Sequence, residues 1–179
     1  MKFDLGPRIH GDGHYYLLEH VLSLQPKGTA LEFGVGKAES TRLIAEHMPV
    51  IGFDSWLGLP EDWRPGFPRG SFASRPPDIQ GVELVDGWFE DTVPEFDFQE
   101  IGHIGLVHLD ADLYSSTSIA LEHAGPYLEA GTFLVFDEFH SYKGCVIHEQ
   151  RAFKEFLDYS GHSYRVIGHG HEAWAVELV

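Results

Sequence analysis

Five short apolar runs alternate with stretches of helical spacing, and this alternation narrows the fold more than any single motif does. The runs are TALEFG (29–34), VIGFD (50–54), GVELVDG (81–87), IGLVHLD (104–110) and TFLVFDEF (132–139). Around them lie HYYLLEHVLSL (14–24), ESTRLIAEHM (39–48), residues 116–129 and HEQRAFKEFLDYSG (148–161). Their apolar residues recur at helical intervals, and Pro26, Gly28, Gly131 and Gly161 supply the stops. Strands alternating with helices predict crossover units and a parallel sheet covered on both faces. SYRVIGHG and HEAWAVELV, the last two strand-like stretches, are joined too tightly for a parallel crossover. They are expected to form a hairpin, so one strand runs against the others. The predicted fold is α/β, a mostly parallel seven-stranded sheet with one antiparallel strand in a C-terminal hairpin and helices on both faces.

A chain of 179 residues favours one domain, taken here as 1–179 with residues 1–27 as an N-terminal helical segment. Acidic residues outnumber basic ones 28 to 12, a net charge of −16, which argues against nucleic acid or an anionic membrane as the main partner. Cys145 is the single cysteine, so an internal disulfide is excluded and a reducing compartment fits. The stretch MKFDLGPRIHGDG lacks the apolar core of a signal peptide, and no run approaches the roughly 20 apolar residues of a membrane span. A soluble, cytoplasmic protein is the expectation. Residues 57–81 stand apart, with five of the ten prolines and three of the seven arginines (Arg64, Arg69, Arg75). So long a loop in a compact domain reads as a lid or binding loop.

LEFGVGKAES (31–40) reads as a strand, a Gly-x-Gly turn and a helix start, where backbone can approach a ligand and free N–H groups face it. Asp54 ends the next strand, 54 − 34 = 20 residues after Gly34, the spacing at which an acid meets a ribose diol. Glu39 occupies the place of a third glycine, so a full dinucleotide fingerprint is absent. Glu32, inside a buried strand end, needs a charge or donors nearby, and a ligand with a cationic end would supply them.

Asp110 ends the fourth strand, and Asp137 and Glu138 end the fifth. If those strands are neighbours, three carboxylates converge where parallel sheets bind ligands. A hard divalent cation is their natural compensation, and oxygen-only donors favour Mg²⁺, Ca²⁺ or Mn²⁺. Asp112 repeats the acid two positions after Asp110, as in a DxD metal clamp, but lies past the strand and is expected to shape the turn into the next helix.

Taken together, these stretches resemble the class I S-adenosylmethionine-dependent methyltransferases of the macrocin O-methyltransferase type. The resemblance rests on LEFGVGKAESTRLIAE, VIGFDSWLGLPEDWRPGF, LVDGWFEDTVPEF, LVHLDADLYSST, TFLVFDEFHSYKGC and HEQRAFKEF, in the family's order from about residue 30 to 157. It implies a Rossmann-like sheet, with Glu32, Gly34 and Gly36 around the methionine part of the cofactor and Asp110 beside its amino group. Asp54 would take the ribose hydroxyls with Ser55 and Trp56 nearby, Trp88 and Phe89 would border the adenine, and Ser40 and Thr41 would line or cap the first helix after the turn. Mg²⁺ would sit on Asp110, Asp137 and Glu138. The expected reaction is metal-assisted O-methylation of a small hydroxylated acceptor, a sugar or natural-product-like molecule. His140 is the first candidate for a general base, with His108 and Glu149 as weaker ones; His169 and His171, in the terminal turn, offer a metal-binding pair but read first as a solvated hairpin. This chain departs from the family in a shorter N-terminus and in Glu138, where many relatives carry a second aspartate. A homodimer that completes each site is compatible with that short N-terminus. Two alternatives stay open at this point: a DxD metal-dependent glycosyltransferase, and a cofactor-binding protein without activity.

Overall fold

The computed structural model describes residues 2–179. Seven strands form one sheet: β1 (Thr29–Phe33), β2 (Val50–Asp54), β3 (Glu83–Asp86), β4 (Ile104–Leu109), β5 (Phe133–Phe136), β6 (Tyr164–His169) and β7 (Trp174–Leu178). Their order is β3-β2-β1-β4-β5-β7-β6. Parallel ladders join β3 through β5, and β7 runs antiparallel to both β5 and β6. The chain winds outward from β1 to β3, then returns to place β4 on β1's other side. That reversal opens a crevice beyond the carboxyl ends of β1 and β4, the place where doubly wound sheets take their ligands.

Five helices cover the sheet: α1 (Tyr16–Ser23), α2 (Glu39–Ala45), α3 (Phe89–Thr92), α4 (Tyr114–Ala124) and α5 (Glu149–Ser160). Alternation along the strands sorts the core into two layers. Ala30, Val50, Leu106 and Val135 point to one face, where α1 buries Leu17, Leu18, Val21 and Leu22, and α2 buries Ile44. Phe33, Phe53, Leu109 and Phe136 point to the other, against Ala120 and Leu121 of α4 and Phe153 and Phe156 of α5. Each buried leucine or phenylalanine contributes roughly 1.5–3 kcal/mol. β4 and β5 are buried at every position, as apolar strands covered on both faces should be.

Several boundaries differ from the sequence expectation for physical reasons. The strand expected over 132–139 stops at Phe136, because the chain turns there to bring Asp137 and Glu138 to the crevice. The helix expected over 116–129 begins at Tyr114 and gives way at Gly125 to a 3₁₀ turn containing Pro126. α3, four residues long, is too short to leave a periodic signal. Only Tyr16–Ser23 of the N-terminal segment is helical. Ahead of it, Ile9 N–H donates to His169 O at 2.9 Å and His169 N–H to Pro7 O at 3.0 Å, so this stretch lies along β6. Phe3 packs among Phe139, Phe153 and Trp174. Among the described residues, no helix is long and apolar enough to cross a membrane.

Candidate active site

A cavity of about 930 Å³ occupies the crevice. The glycine turn forms one of its sides. Gly34 has φ +99°, and a Cβ there would lie 1.8 Å from the Asp110 carbonyl oxygen, so only glycine lets β1 and β4 close at this point. Gly36 has φ +52° and open space where a Cβ would go. Asp54 ties the turn down. Its Oδ2 accepts the N–H groups of Val35 at 2.9 Å and Gly36 at 2.8 Å, and its Oδ1 accepts Trp56 N–H at 2.7 Å. One lone pair on Oδ1 is left for a ligand hydroxyl. Trp56, buried with φ +53°, donates its indole N–H to Gly36 O at 3.1 Å. Ser55, Trp88 and Phe89 line the same side, and Phe89 meets Phe33 edge-on at 5.7 Å.

Acids line the opposite side. Asp110, Asp112, Asp137 and Glu138 all reach the cavity. Asp110 N–H donates to Phe33 O and Asp137 N–H to Leu109 O, both at 2.9 Å, so neighbouring strand ends set the two acids side by side. Burial, then the Asp137 charge, pushes the carboxyls of Asp110 and Glu138 well above the usual range. Asp112 is pushed up to about 7 by burial and again by Asp137. Burial also acts upward on Asp137, but hydrogen bonding to His14 and the charges of His108 and His14 outweigh it and bring it below its ordinary value. Glu149, at the start of α5, is fully buried with neither carboxylate oxygen partnered among the described residues, and Glu138 Oε2 is likewise buried and unpartnered. Burial, then Asp112 and Asp137, raises Glu149 well above its ordinary value.

Asp112 does more than shape the turn. Its backbone is left-handed at φ +60°, and its buried side chain faces the cavity; no side chain caps α4. The two aspartates of the DxD pattern are therefore unequal, one ending a strand and the other set beyond it by a left-handed residue.

Some expected site residues lie away from the cavity. Glu32 is fully buried beneath it, paired at 2.9 Å with Nδ1 of His108, its register partner on β4. Glu32 Oε2 and His108 Nε2 have no partner among the described residues. Ser40 and Thr41 are buried in the first turn of α2, Ser40 against the Tyr15 hydroxyl. His140 points away from the acids. Its Nδ1 bonds Ser141 Oγ at 2.6 Å and its Nε2 bonds Ala173 O, in the β6–β7 turn, at 3.2 Å, so both ring nitrogens are occupied. Burial holds its pKa below the ordinary imidazole value. His169 packs 5.2 Å from that ring.

Two further parts of the cavity wall come from outside the strand ends, the first unmarked by any local sequence pattern and the second the loop expected to act as a lid. His14 and Tyr15, just ahead of α1, line the cavity, and His14 Nε2 lies 2.7 Å from Asp137 Oδ2. That hydrogen bond raises the His14 pKa. The loop 57–81 supplies Trp63, Arg64, Phe67 and Arg69, while Arg75 does not reach the cavity. The Arg64 guanidinium sits 4.0 Å over Trp63 and 4.6 Å over Tyr142, and Nη1 donates to Glu172 at 3.0 Å. Ser115 Oγ donates to Glu61 at 2.6 Å, so the loop is fastened to α4 as well as to the hairpin turn.

The fold is similar to the calicheamicin methyltransferase crystal structure, with a TM-score of 0.70 at 23% identity over 90% of this chain and 75% of that one. The O-methyltransferase NovP also gives 0.70, at 19% identity over 93% and 82%. Among curated proteins, the chain is 36% identical over 72 residues to a tetracenomycin-C rhamnosyl 4'-O-methyltransferase of Streptomyces olivaceus, covering 35% of this chain and 26% of that protein. It is 30% identical over 86 residues to mycinamicin III 3''-O-methyltransferase of Micromonospora griseorubida, covering 48% and 31%. Its matched parts thus span less than a third of the length of these relatives. Residues 71–160, half of the chain, match the macrocin-O-methyltransferase (TylF) family, and the chain belongs to that family.

Proposed function

We propose that this protein transfers a methyl group from S-adenosylmethionine to a hydroxyl of a small sugar or natural-product-like acceptor, aided by a divalent cation. The observation that carries this reading is one cavity joining a tied-down glycine turn to a group of raised-pKa carboxylates. The cofactor fits the first half. Gly36 leaves open space, Asp54 keeps a lone pair for a ribose hydroxyl, and Trp88 and Phe89 offer flat walls for adenine. The volume lies within the roughly 300–1,000 Å³ of small-molecule sites.

A cation fits the second half. Buried Glu138 Oε2 has no partner among the described residues, and the donors of Asp110, Asp137 and Glu138 are all hard oxygens. Asp110, Asp137 and Glu138 would hold a divalent cation, which when bound would lower the acceptor hydroxyl's pKa and orient it. The remaining work belongs to this chain. Asp112 faces the cavity with its buried side chain among the acids, and is the carboxylate placed to take up the acceptor's proton. Trp63, Phe67 and Arg64 on the loop 57–81 act as a lid that keeps water from the reacting oxygen. Holding oxygen and methyl carbon in line supplies much of the rate, since well-oriented reactions gain roughly 7–11 kcal/mol. Family membership replaces the glycosyltransferase alternative.

Calorimetry with S-adenosylhomocysteine tests the cofactor, and the absence of binding would end this reading. Labelled methyl transfer to a panel of free and nucleotide-linked sugars, with and without divalent cation, separates an enzyme from an inactive binding protein.

A further inference from the structure

Beside the carboxylates of the cavity's acidic half stands a nitrogen donor, His14. His14 Nε2, Asp137 and Glu138 each offer a ligand atom, and these atoms all lie within 4.8 Å of one another. His14 Nε2 and Asp137 Oδ2 are 2.7 Å apart. Neighbouring donors around an octahedral ion with bonds of about 2.1 Å sit about 3 Å apart, so a small shift puts this pair in a shared coordination sphere. Two further features show that His14 alone does not satisfy the group: among the described residues, buried Glu138 Oε2 has no partner and fully buried Glu149 leaves both oxygens unpartnered. The His14 side chain is 64% exposed, so its ring can move onto an ion without disturbing the core.

We propose that His14 is a metal ligand, and that the centre is a mixed nitrogen–oxygen site selecting a first-row transition dication, Mn²⁺ or Co²⁺, over Mg²⁺. The inference rests on the cation site proposed above and specifies its chemistry. Carboxylates alone suit Mg²⁺ and Ca²⁺, whereas an imidazole moves preference toward the transition series. The residue comes from the segment ahead of α1, 123 positions before its partner, so a part of the chain outside the strand-end motifs would decide which ion the site holds.

The test uses the full chain, loaded in turn with Mg²⁺, Co²⁺ and Mn²⁺, and needs no substrate. Calorimetry is expected to give Co²⁺ an affinity at least about tenfold above Mg²⁺. His14→Gln, which keeps a hydrogen-bonding side chain but removes the imidazole, is expected to erase most of that difference while leaving Mg²⁺ affinity within about threefold. Pulsed EPR of the Mn²⁺-loaded protein is expected to show modulation from a directly bound imidazole nitrogen, lost in His14→Gln. If the signal and the Co²⁺ preference survive in His14→Gln, or if the wild type shows no bound nitrogen, His14 is only an ion-pair partner and the inference falls, with the cation proposal intact. If no dication binds the wild type at all, both fall. Circular dichroism of the variant confirms that any loss is local.

Discussion

The two halves of the cavity are built on opposite principles. At the ends of β1 and β2, Asp54 accepts three backbone N–H groups, and the turn it braces is locked before any ligand arrives. At the ends of β4 and β5, four carboxyl groups line the wall with a fifth buried behind them, and Glu138 and Glu149 keep oxygens without partners among the described residues. The first half holds a shape because its polar groups are satisfied. The second holds a chemical demand because they are not. A buried carboxylate without a partner costs stability unless it is protonated or meets a cation. The acid half is thus tuned for charge and the glycine half for fit, and substitutions in the two should fail in different ways.

The largest effect is expected from Asp112→Asn, which removes the proton acceptor and keeps the shape. Methyl transfer should fall roughly 10²–10⁴-fold, while S-adenosylhomocysteine affinity measured by calorimetry stays within about threefold. Retention of activity within tenfold would remove Asp112 from the mechanism.

Next comes Gly34→Ala, where the new Cβ would meet the Asp110 carbonyl at a positive φ. The cost should exceed about 3 kcal/mol, seen as a large drop in unfolding midpoint. Gly36→Ala, with open space at the same turn, should cost about 1 kcal/mol in stability and register mainly as weaker cofactor binding. Equal losses of stability in the two would dissolve the distinction between a packing glycine and a ligand-facing one.

The acid half should show the reverse behaviour under denaturation. Glu138→Gln replaces a buried acid of a self-repelling group, so the metal-free protein should gain about 1 kcal/mol, or 2–4 °C in midpoint, at pH values where that acid is ionised, while losing divalent-cation affinity. A stabilised protein that still bound the ion normally would exclude Glu138 as a ligand.

A smaller, graded effect follows from pH. A carboxyl with a higher pKa in the folded state makes that state the tighter proton binder. Its contribution is complete below an unfolded value of about 4 and fades as pH rises through the folded one. Asp112 should therefore weaken the metal-free protein between about pH 4 and its folded value near 7, with Asp110, Glu138 and Glu149 adding in the same direction. Asp137, lowered, works the other way at more acidic pH. Midpoints measured from pH 5 to 8 should decline, and saturating dication should flatten the slope. An unchanged slope in Glu149→Gln would show that this buried acid does not titrate there.

Much of this molecule was legible in the sequence. The five apolar runs became β1 to β5 in the expected direction, the tight final connection became a hairpin, and the glycine turn and three strand-end acids came to one cavity. What was not legible depends on partners distant in sequence. Glu32 looked like a residue awaiting a cationic ligand until β1 and β4 fell into register and set His108 beside it. His14 precedes a helix with no motif around it, and only the path of the N-terminal segment along β6 carries it to Asp137. His140 is two positions from Glu138, yet the chain has already turned, so sequence proximity to the acids did not translate into a place among them. Asp112 shows how a single left-handed residue can redirect a side chain from a turn into a site.

The sheet order also bears on how the protein is made. β7 comes last of the seven strands, yet it lies inside the sheet, between β5 and β6. During synthesis from the N-terminus, β5 therefore remains an unpaired edge, and Trp174 is missing from the aromatic cluster around Phe139 and Phe153, until the final strand emerges. Long-range pairings of this kind form late and leave apolar edges open to association with other chains. Nascent chains stalled before residue 174 should be much more prone to aggregate than chains in which β7 has emerged, because β7 closes the sheet.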